Sequence, residues 1–197
     1  MHGMWWAALL NSFAAVLDSG GAGGAGGSFE SIATATGTGS SGTITFSSIP
    51  STYQHLQIRI MARTDRSSTE SGFQIRFNSD SGSNYVGHQI LGFGTTIIAN
   101  GSTSQTQIDI GIVAAASAPS NTMGVGIIDV HDYASSTKNK TVRSLSGEEQ
   151  NSADSYLTLR SGLWLNTNAI NSITIIPNTA NNFTTASVFA LYGIKGA

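Results

Sequence analysis

The sequence QHLQIRIMAR, residues Gln54–Arg63, decides the fold class because its side chains alternate in character. In an extended chain, successive side chains point to opposite faces. One face carries Leu56, Ile58 and Ile60, and the other carries Gln57, Arg59 and Met61. A period of two predicts a β-strand with one buried face, because a helix would scatter these aliphatic residues around its surface.

Similar short segments recur along the chain from Phe29 onward, roughly ten in all, and Gly, Asn, Ser or Pro residues separate them. The segments are 43–48, 54–63, 73–78, 85–91, 95–99, 106–113, 123–133, 141–145, 156–165, 170–176 and 187–194. The residues expected to face inward include Ile44, Phe46, Phe73, Ile75, Phe77, Ile108, Ile110 and Ile112. Pro50 predicts a turn, and Asn100–Gly101 predicts a hairpin turn. This spacing indicates an all-β fold, an antiparallel jelly-roll-like β-sandwich.

The composition narrows the classes of protein that the chain can represent. Charged residues make up 10% of the 197 residues, and the formal net charge is −2. Such a balance favours neither a nucleic-acid partner nor a membrane-surface partner. A surface of small uncharged polar residues is common in β-rich proteins that assemble into larger structures. The chain has no cysteine, which excludes a disulfide framework and a thiolate metal site.

The N-terminal segment differs from everything after it. From Met4 to Asp18, seven large apolar residues fall in one stripe about 140° wide on a helical wheel. They are Trp5, Trp6, Leu9, Leu10, Phe13, Val16 and Leu17. The glycine-rich run SGGAGGAGGS, residues 19–28, cannot continue a helix and has an r.m.s. reach of about 17 Å. The predicted domains are therefore a docking helix over 1–18, a flexible linker over 19–28 and a β-sandwich over 29–197.

Three other interpretations of the N-terminal segment stay open. A secretory signal would need a positive start, and the first Lys or Arg is Arg59, although the Ala/Gly tract resembles a cleavage site. The apolar run is shorter than the about 20 residues of a membrane span. A helix packed in its own domain would normally have a shorter connection.

Burial of the seven apolar side chains against another subunit would contribute at most about 10–20 kcal/mol, much of it lost to ordering.

Few residue patterns point to catalytic or metal chemistry. Asp129, His131 and Tyr133 are expected to share a strand face, and His88 could join them as a metal ligand from another strand. Glu148 and Glu149 could act as paired carboxylates, but a solvated loop is the favoured interpretation. No G-x-S-x-G or P-loop pattern occurs, so the sequence predicts no catalytic residue and no cofactor.

The aromatic and basic residues offer two further kinds of binding surface, a sugar platform and a basic stripe. The aromatic pool for a sugar platform is Tyr53, Tyr85, Tyr133, Tyr156 and Trp164, most of which should lie in the core. The arginines Arg59, Arg63, Arg66, Arg76, Arg143 and Arg160 are spread over separate segments. They are expected to alternate with core residues on a scattered polar face, which does not form a basic stripe for nucleic acid.

Two stretches resemble a family of tailed-phage virion structural proteins found in phages of aquatic bacteria, cyanobacteria included. The first comprises Phe29–Ala33 (FESIA) and Gly42–Arg59 (GTITFSSIPSTYQHLQIR), and the second is Ala186–Gly196 (ASVFALYGIKG). These motifs frame almost the whole β-region. The resemblance implies a place in a virion, as a tail fibre, a baseplate appendage or a capsid decoration, and it carries over no catalytic motif.

Together these observations predict a non-enzymatic short tail fibre or baseplate-attached fibre. Its N-terminal helix would dock to another virion protein, and its β-domain would project outward and touch a host-surface glycan. A homotrimer is expected, because three weak docking helices would gain from a high effective concentration. The alternatives are a capsid cement or decoration protein, a carbohydrate-binding module of a secreted protein and, least favoured, an enzyme. Neither a nucleic-acid partner nor a membrane is expected.

Overall fold

The computed structural model describes residues 28–152 and 155–196. The predicted docking residues, from Trp5 to Leu17, and nearly all of the linker lie outside the described residues. Within the described residues every regular element is a β-strand and every strand ladder is antiparallel. The predicted all-β antiparallel class is therefore confirmed for this part of the chain.

The strands form an eight-stranded sheet and a four-stranded sheet. The twelve strands are β1 (Phe29–Thr36), β2 (Ile44–Phe46), β3 (His55–Ala62), β4 (Glu70–Phe77), β5 (Tyr85–Phe93), β6 (Thr96–Gln105), β7 (Ile108–Ala114), β8 (Gly124–His131), β9 (Lys140–Glu148), β10 (Tyr156–Trp164), β11 (Ile173–Pro177) and β12 (Val188–Ile194). The large sheet has the order β1-β12-β3-β8-β9-β10-β5-β6, and the small sheet has the order β2-β11-β4-β7. The buried faces of the two sheets share one hydrophobic core, as in a β-sandwich.

Strand β3 lies well inside the large sheet, between β12 and β8. Its aliphatic face is buried as predicted, with Leu56 and Ile58 fully covered and Ile60 at 5% exposure. All eight residues named above as inward-facing are also buried, which confirms the period-two argument for β2, β4 and β7.

The two sheets approach most closely where β7 crosses β9 and β10. Gly162 of β10 makes this possible, because a Cβ atom there would lie 2.4 Å from Cγ2 of Ile108. The Ile112 amide also donates a hydrogen bond to Ser146 Oγ at 3.1 Å. This contact fixes the edge of the small sheet against the middle of the large sheet.

Two local predictions differ from the structure. Asn100–Gly101 was predicted as a hairpin turn, but it lies inside β6, and the β5–β6 hairpin turns at Gly94–Thr95 instead. Gly94 has φ +53°, the conformation that a two-residue hairpin favours at this position. Strand β1 was not among the predicted segments, and it pairs with β12 along the sheet edge.

Candidate functional site

A polar cleft opens where the β5–β6 hairpin extends beyond the edge of the small sheet. We call it the interlayer cleft and define it by Gln74, Gln89, Asn100, Gln107, Asp109 and Arg160. Its volume is about 380 Å³, towards the low end of the ~300–1,000 Å³ range of small-molecule sites. The cleft exists because the small sheet ends at β7, whereas the large sheet continues to β6, whose ten residues are all exposed.

Arg160 forms the inner end of the cleft and is the most unusual residue of the site. Its side chain is 8% exposed, although the sequence predicted it on a scattered polar face. Its Nε atom is buried and has no hydrogen-bond partner among the described residues. Among the described residues it has one ion pair, which joins Nη1 to Asp109 Oδ2 at 3.8 Å, beyond hydrogen-bonding distance. Burial lowers the pKa of Arg160, and the Asp109 charge opposes that shift.

The strand register explains why Arg160 points inward. On β10 the inward residues are Thr158, Arg160, Gly162 and Trp164, and the outward residues include Leu157 and Leu159. Trp164 is 1% exposed, and Gly162 gives β7 room to approach. Inward placement of Trp164 and Gly162 forces Arg160 inward as well, because side chains alternate along a strand.

The wall of the cleft is a chain of hydrogen-bonded side chains on the small sheet and on the β6–β7 connection that leads into it. Gln74 Nε2 donates to Asp109 Oδ1 at 2.7 Å, and Gln107 donates to Gln74. Arg76 Nη2 donates in turn to Gln107 Oε1 at 2.9 Å. These bonds hold Asp109 so that its second oxygen, Oδ2, faces Arg160 and accepts no hydrogen bond from the described residues.

The floor of the cleft is a row of polar side chains across three neighbouring strands. Arg160 is directly opposite Gln89 in the β10–β5 ladder, and Gln89 is opposite Asn100 in the β5–β6 ladder. Gln89 Nε2 donates to Asn100 Oδ1 at 3.0 Å. The floor therefore presents amide donors and acceptors beside the guanidinium, a set that suits hydroxyl groups.

The face of the large sheet that points away from the small sheet carries an unusual apolar surface. We call it the outer apolar face and define it by eight side chains, each at least 42% exposed. They are Met61, Ile90, Ile97, Val125, Ile127, Leu145, Leu157 and Leu159. Together they present on the order of 700–800 Å² of surface, above the ~300–600 Å² of the largest apolar patch on a typical monomer.

The strand register arranges these side chains in two adjacent rows. One row is Met61, Val125, Gly147, Leu157, Gly92 and Ile97. The other row is Ile127, Leu145, Leu159, Ile90 and Ala99. Next to the second row, a hollow of about 550 Å³ lies between Arg143 and Ala99. The face is thus a continuous surface with knobs at the leucines and gaps at the glycines.

The predicted metal ligands are not brought together. Asp129 and His131 do point outward from β8, but Tyr133 is fully buried beyond the end of that strand, where it donates to the Pro50 carbonyl. His88 lies on β5, three strands away from β8. In residues 28–152 and 155–196, no group of three or more His, Cys, Asp or Glu side chains is placed to hold a metal ion.

The acidic pair and the aromatic pool also differ partly from expectation. Glu148 was predicted in a solvated loop but is buried at the end of β9, where burial raises its pKa and Gln150 donates to it at 2.7 Å. Glu149 is exposed, so the two carboxylates do not act as a pair. Tyr85, Tyr133 and Trp164 lie in the core as expected. Sequence reasoning missed the interlayer cleft, whose polar residues come from five separate strands and the β6–β7 connection.

Comparisons with known proteins give little for this chain. No protein-family model matches it, and neither does any curated protein. A toad ovary galectin in complex with thio-digalactose is similar at 10% identity and a TM-score of 0.22, over 68% of this chain and 98% of the galectin. A non-specific endo-β-1,3(4)-glucanase from family GH16 is similar at 12% identity and a TM-score of 0.21, over 73% of this chain and 59% of the enzyme. Scores this low do not place the chain in either fold.

The described residues form no helix with the length and apolar character needed to cross a bilayer.

Proposed function

We propose that the chain is a non-enzymatic structural protein of a phage virion, most simply a short tail fibre or baseplate-attached fibre. In this proposal the segment 1–18 is a helix that docks to another virion protein, and the β-sandwich is a jelly-roll-like body that projects outward. Its copies associate as a homotrimer. Capsid cement or decoration is the alternative place in the same particle.

The observation that carries the proposal is the outer apolar face. An area on the order of 700–800 Å² is close to the ~800 Å² that each partner buries in a standard protein interface. Exposed apolar patches of this size mark interaction sites on soluble proteins. We therefore propose that this face surrounds the axis of the homotrimer and is covered by the two neighbouring copies, since leucine knobs and glycine gaps lie side by side on it.

The placement of the family-like motifs supports the virion part of the proposal. The stretches Phe29–Ala33, Gln54–Arg59 and Ala186–Gly196 contribute to β1, β3 and β12, which are neighbours in the large sheet. Phe29 is paired with Ile194, and Ile194 is paired with His55. Most of the residues that carry the resemblance thus lie side by side in the large sheet, whereas Ile44–Phe46, which belong to the stretch Gly42–Arg59, form β2 of the small sheet.

Substitution of Leu145 tests the interface. Leu145 lies in the middle of its row, between Ile127 and Leu159, so Leu145→Lys would place a charge at the centre of the contact. Sedimentation velocity of the full chain at micromolar concentration should show an oligomer for the parent protein and a monomer for this variant. Leu165→Lys is the matched control, because Leu165 is also 50% exposed but lies outside both rows. A monomeric parent protein, or an unchanged Leu145→Lys variant, would refute the proposed association.

A further inference from the structure

We propose that the interlayer cleft binds a neutral saccharide, with one sugar hydroxyl held between Arg160 and Asp109. This inference deepens the proposed function, since it gives a ligand class to the outward-facing body of a virion appendage. The cleft and the outer apolar face lie on opposite sides of the same strands, so association through that face leaves the cleft accessible.

The first argument is the unmet hydrogen-bonding capacity of Arg160. A guanidinium carries five N–H donors, and buried polar groups almost always have partners. Here the Nε atom is buried without a partner, and no described residue accepts a hydrogen bond from the side chain. Nε itself is closed off from the cleft, but the terminal Nη1 and Nη2 atoms are not among the fully buried ones. Since Arg160 lines the cleft, a ligand that enters it can supply an acceptor oxygen to these two atoms.

The second argument concerns the charge of the ligand. Asp109 Oδ2 is an unused acceptor 3.8 Å from Arg160 Nη1. A hydroxyl group fits this gap because it accepts from the guanidinium and donates to the carboxylate at the same time. A carboxylate or phosphate would instead bring a second negative charge against Asp109, which is unfavourable at such a short distance.

The third argument is the lining of the rest of the cleft. Gln89 and Asn100 on the floor, and Gln74 and Gln107 on the wall, are planar amides that both donate and accept hydrogen bonds. A volume of about 380 Å³ is enough for one or two sugar rings, not for a long buried chain. The described residues that line the cleft include no Phe, Tyr or Trp, so recognition depends on hydroxyl groups, and we expect dissociation constants of millimolar order.

Saturation-transfer NMR on the full chain tests the inference. The probes are neutral hexose disaccharides, such as lactose, maltose and cellobiose, with glucuronic acid and inorganic phosphate as charged counterparts. We expect at least one neutral disaccharide to bind, and Arg160→Met to weaken that binding at least tenfold. Arg143→Met is the matched control, because Arg143 lies on the neighbouring strand but points to the outer face. The affinity of this variant for the disaccharide should stay within twofold of that of the parent protein.

A second variant keeps the test decisive if Arg160→Met does not fold. Gln89 is only partly buried on the cleft floor, so Gln89→Ala should fold normally and should weaken binding severalfold. Failure of every neutral disaccharide to bind, tighter binding of the charged probes, or parental affinity in both variants would overturn the inference. Self-association is measured separately with Leu145→Lys. A cleft that binds no sugar would therefore leave the proposed assembly intact, and a monomeric parent protein would leave the proposed sugar binding intact.

Discussion

Replacing Arg160 by methionine should make the protein more stable. The side chain is 8% exposed, and its guanidinium forms no hydrogen bond among the described residues. Desolvation of an ionic group costs several kcal/mol unless good partners compensate for it. Methionine has a similar length and no polar atom that would be left unsatisfied, so it removes this cost while still filling the space.

The size of the gain follows from two opposing terms. Replacing a buried ionic group with an apolar one of similar volume ranges from neutral to about 4 kcal/mol of stabilisation. The ion pair that is lost is long and its partner Asp109 is 54% exposed, so its loss costs no more than about 1 kcal/mol. Because the cleft gives Arg160 some access to water, we expect a net gain of about 1–2 kcal/mol, which corresponds to roughly 3–6 °C in Tm.

Urea and thermal unfolding of the full chain, followed by circular dichroism, measure this effect. Arg143→Met is again the control, since its ion pair with Asp129 at 3.0 Å is on the surface and should change stability by less than about 0.5 kcal/mol. A loss of more than about 1 kcal/mol in Arg160→Met would show that the guanidinium is well satisfied in the folded protein, and the reasoning about the cleft would then fail.

Two further predictions concern acid stability and the N-terminal segment. Burial raises the pKa of Asp80, but hydrogen bonds from Trp164, Asn84 and Gly82 outweigh it and hold the pKa below its usual 3.8. This stabilisation is present above pH 3.8 and is lost as the pH falls toward the lower folded pKa. Urea unfolding between pH 5 and 2 should therefore show a smaller acid loss in Asp80→Asn; equal losses would contradict this. Changing Trp5 and Trp6 to Ala should abolish incorporation into particles and leave the unfolding of the β-sandwich unchanged; normal incorporation would rule out docking through this segment.

The period-two pattern predicted the core well wherever large aliphatic residues alternate with polar ones. Leu56, Ile58 and Ile60 have one apolar face that can be buried in a single way, so local pattern and tertiary structure agree. In strand β10 the period-two pattern gives the wrong inward face. In its sequence YLTLRSGLW, Leu157 and Leu159 are the obvious core residues, yet they point outward. Long-range packing of Trp164 and Gly162 sets the register, and the local pattern does not contain that information.

The predictions of the hairpin turn and of the functional site failed because both depend on contacts between residues that are distant in the sequence. Asn100–Gly101 is a strong hairpin signal, but Gly94–Thr95 makes the turn, and Asn100 stays extended with a cross-strand hydrogen bond from Gln89. Gly101 leaves space for the imidazole ring of His88, since a Cβ atom there would lie 2.5 Å from Cδ2. The cleft could not be predicted, because Asp109 and Arg160 are 51 positions apart and meet only through the contact between the two sheets.

The strand order also has a mechanical consequence. The glycine-rich run joins the large sheet at β1, where the Lys195 amide donates to the Ser28 carbonyl at 3.0 Å, and the cleft lies beside β6 at the far edge. At about 4.8 Å per strand, a pull between these two edges would cross roughly 34 Å of sheet in the direction of the interstrand hydrogen bonds. Tension would then pass through the strand ladders in series, and the weakest one would yield first. Strands β1 and β6 each have a single neighbour in the sheet, so one of these edge strands would separate before the central ladders and the core are disturbed.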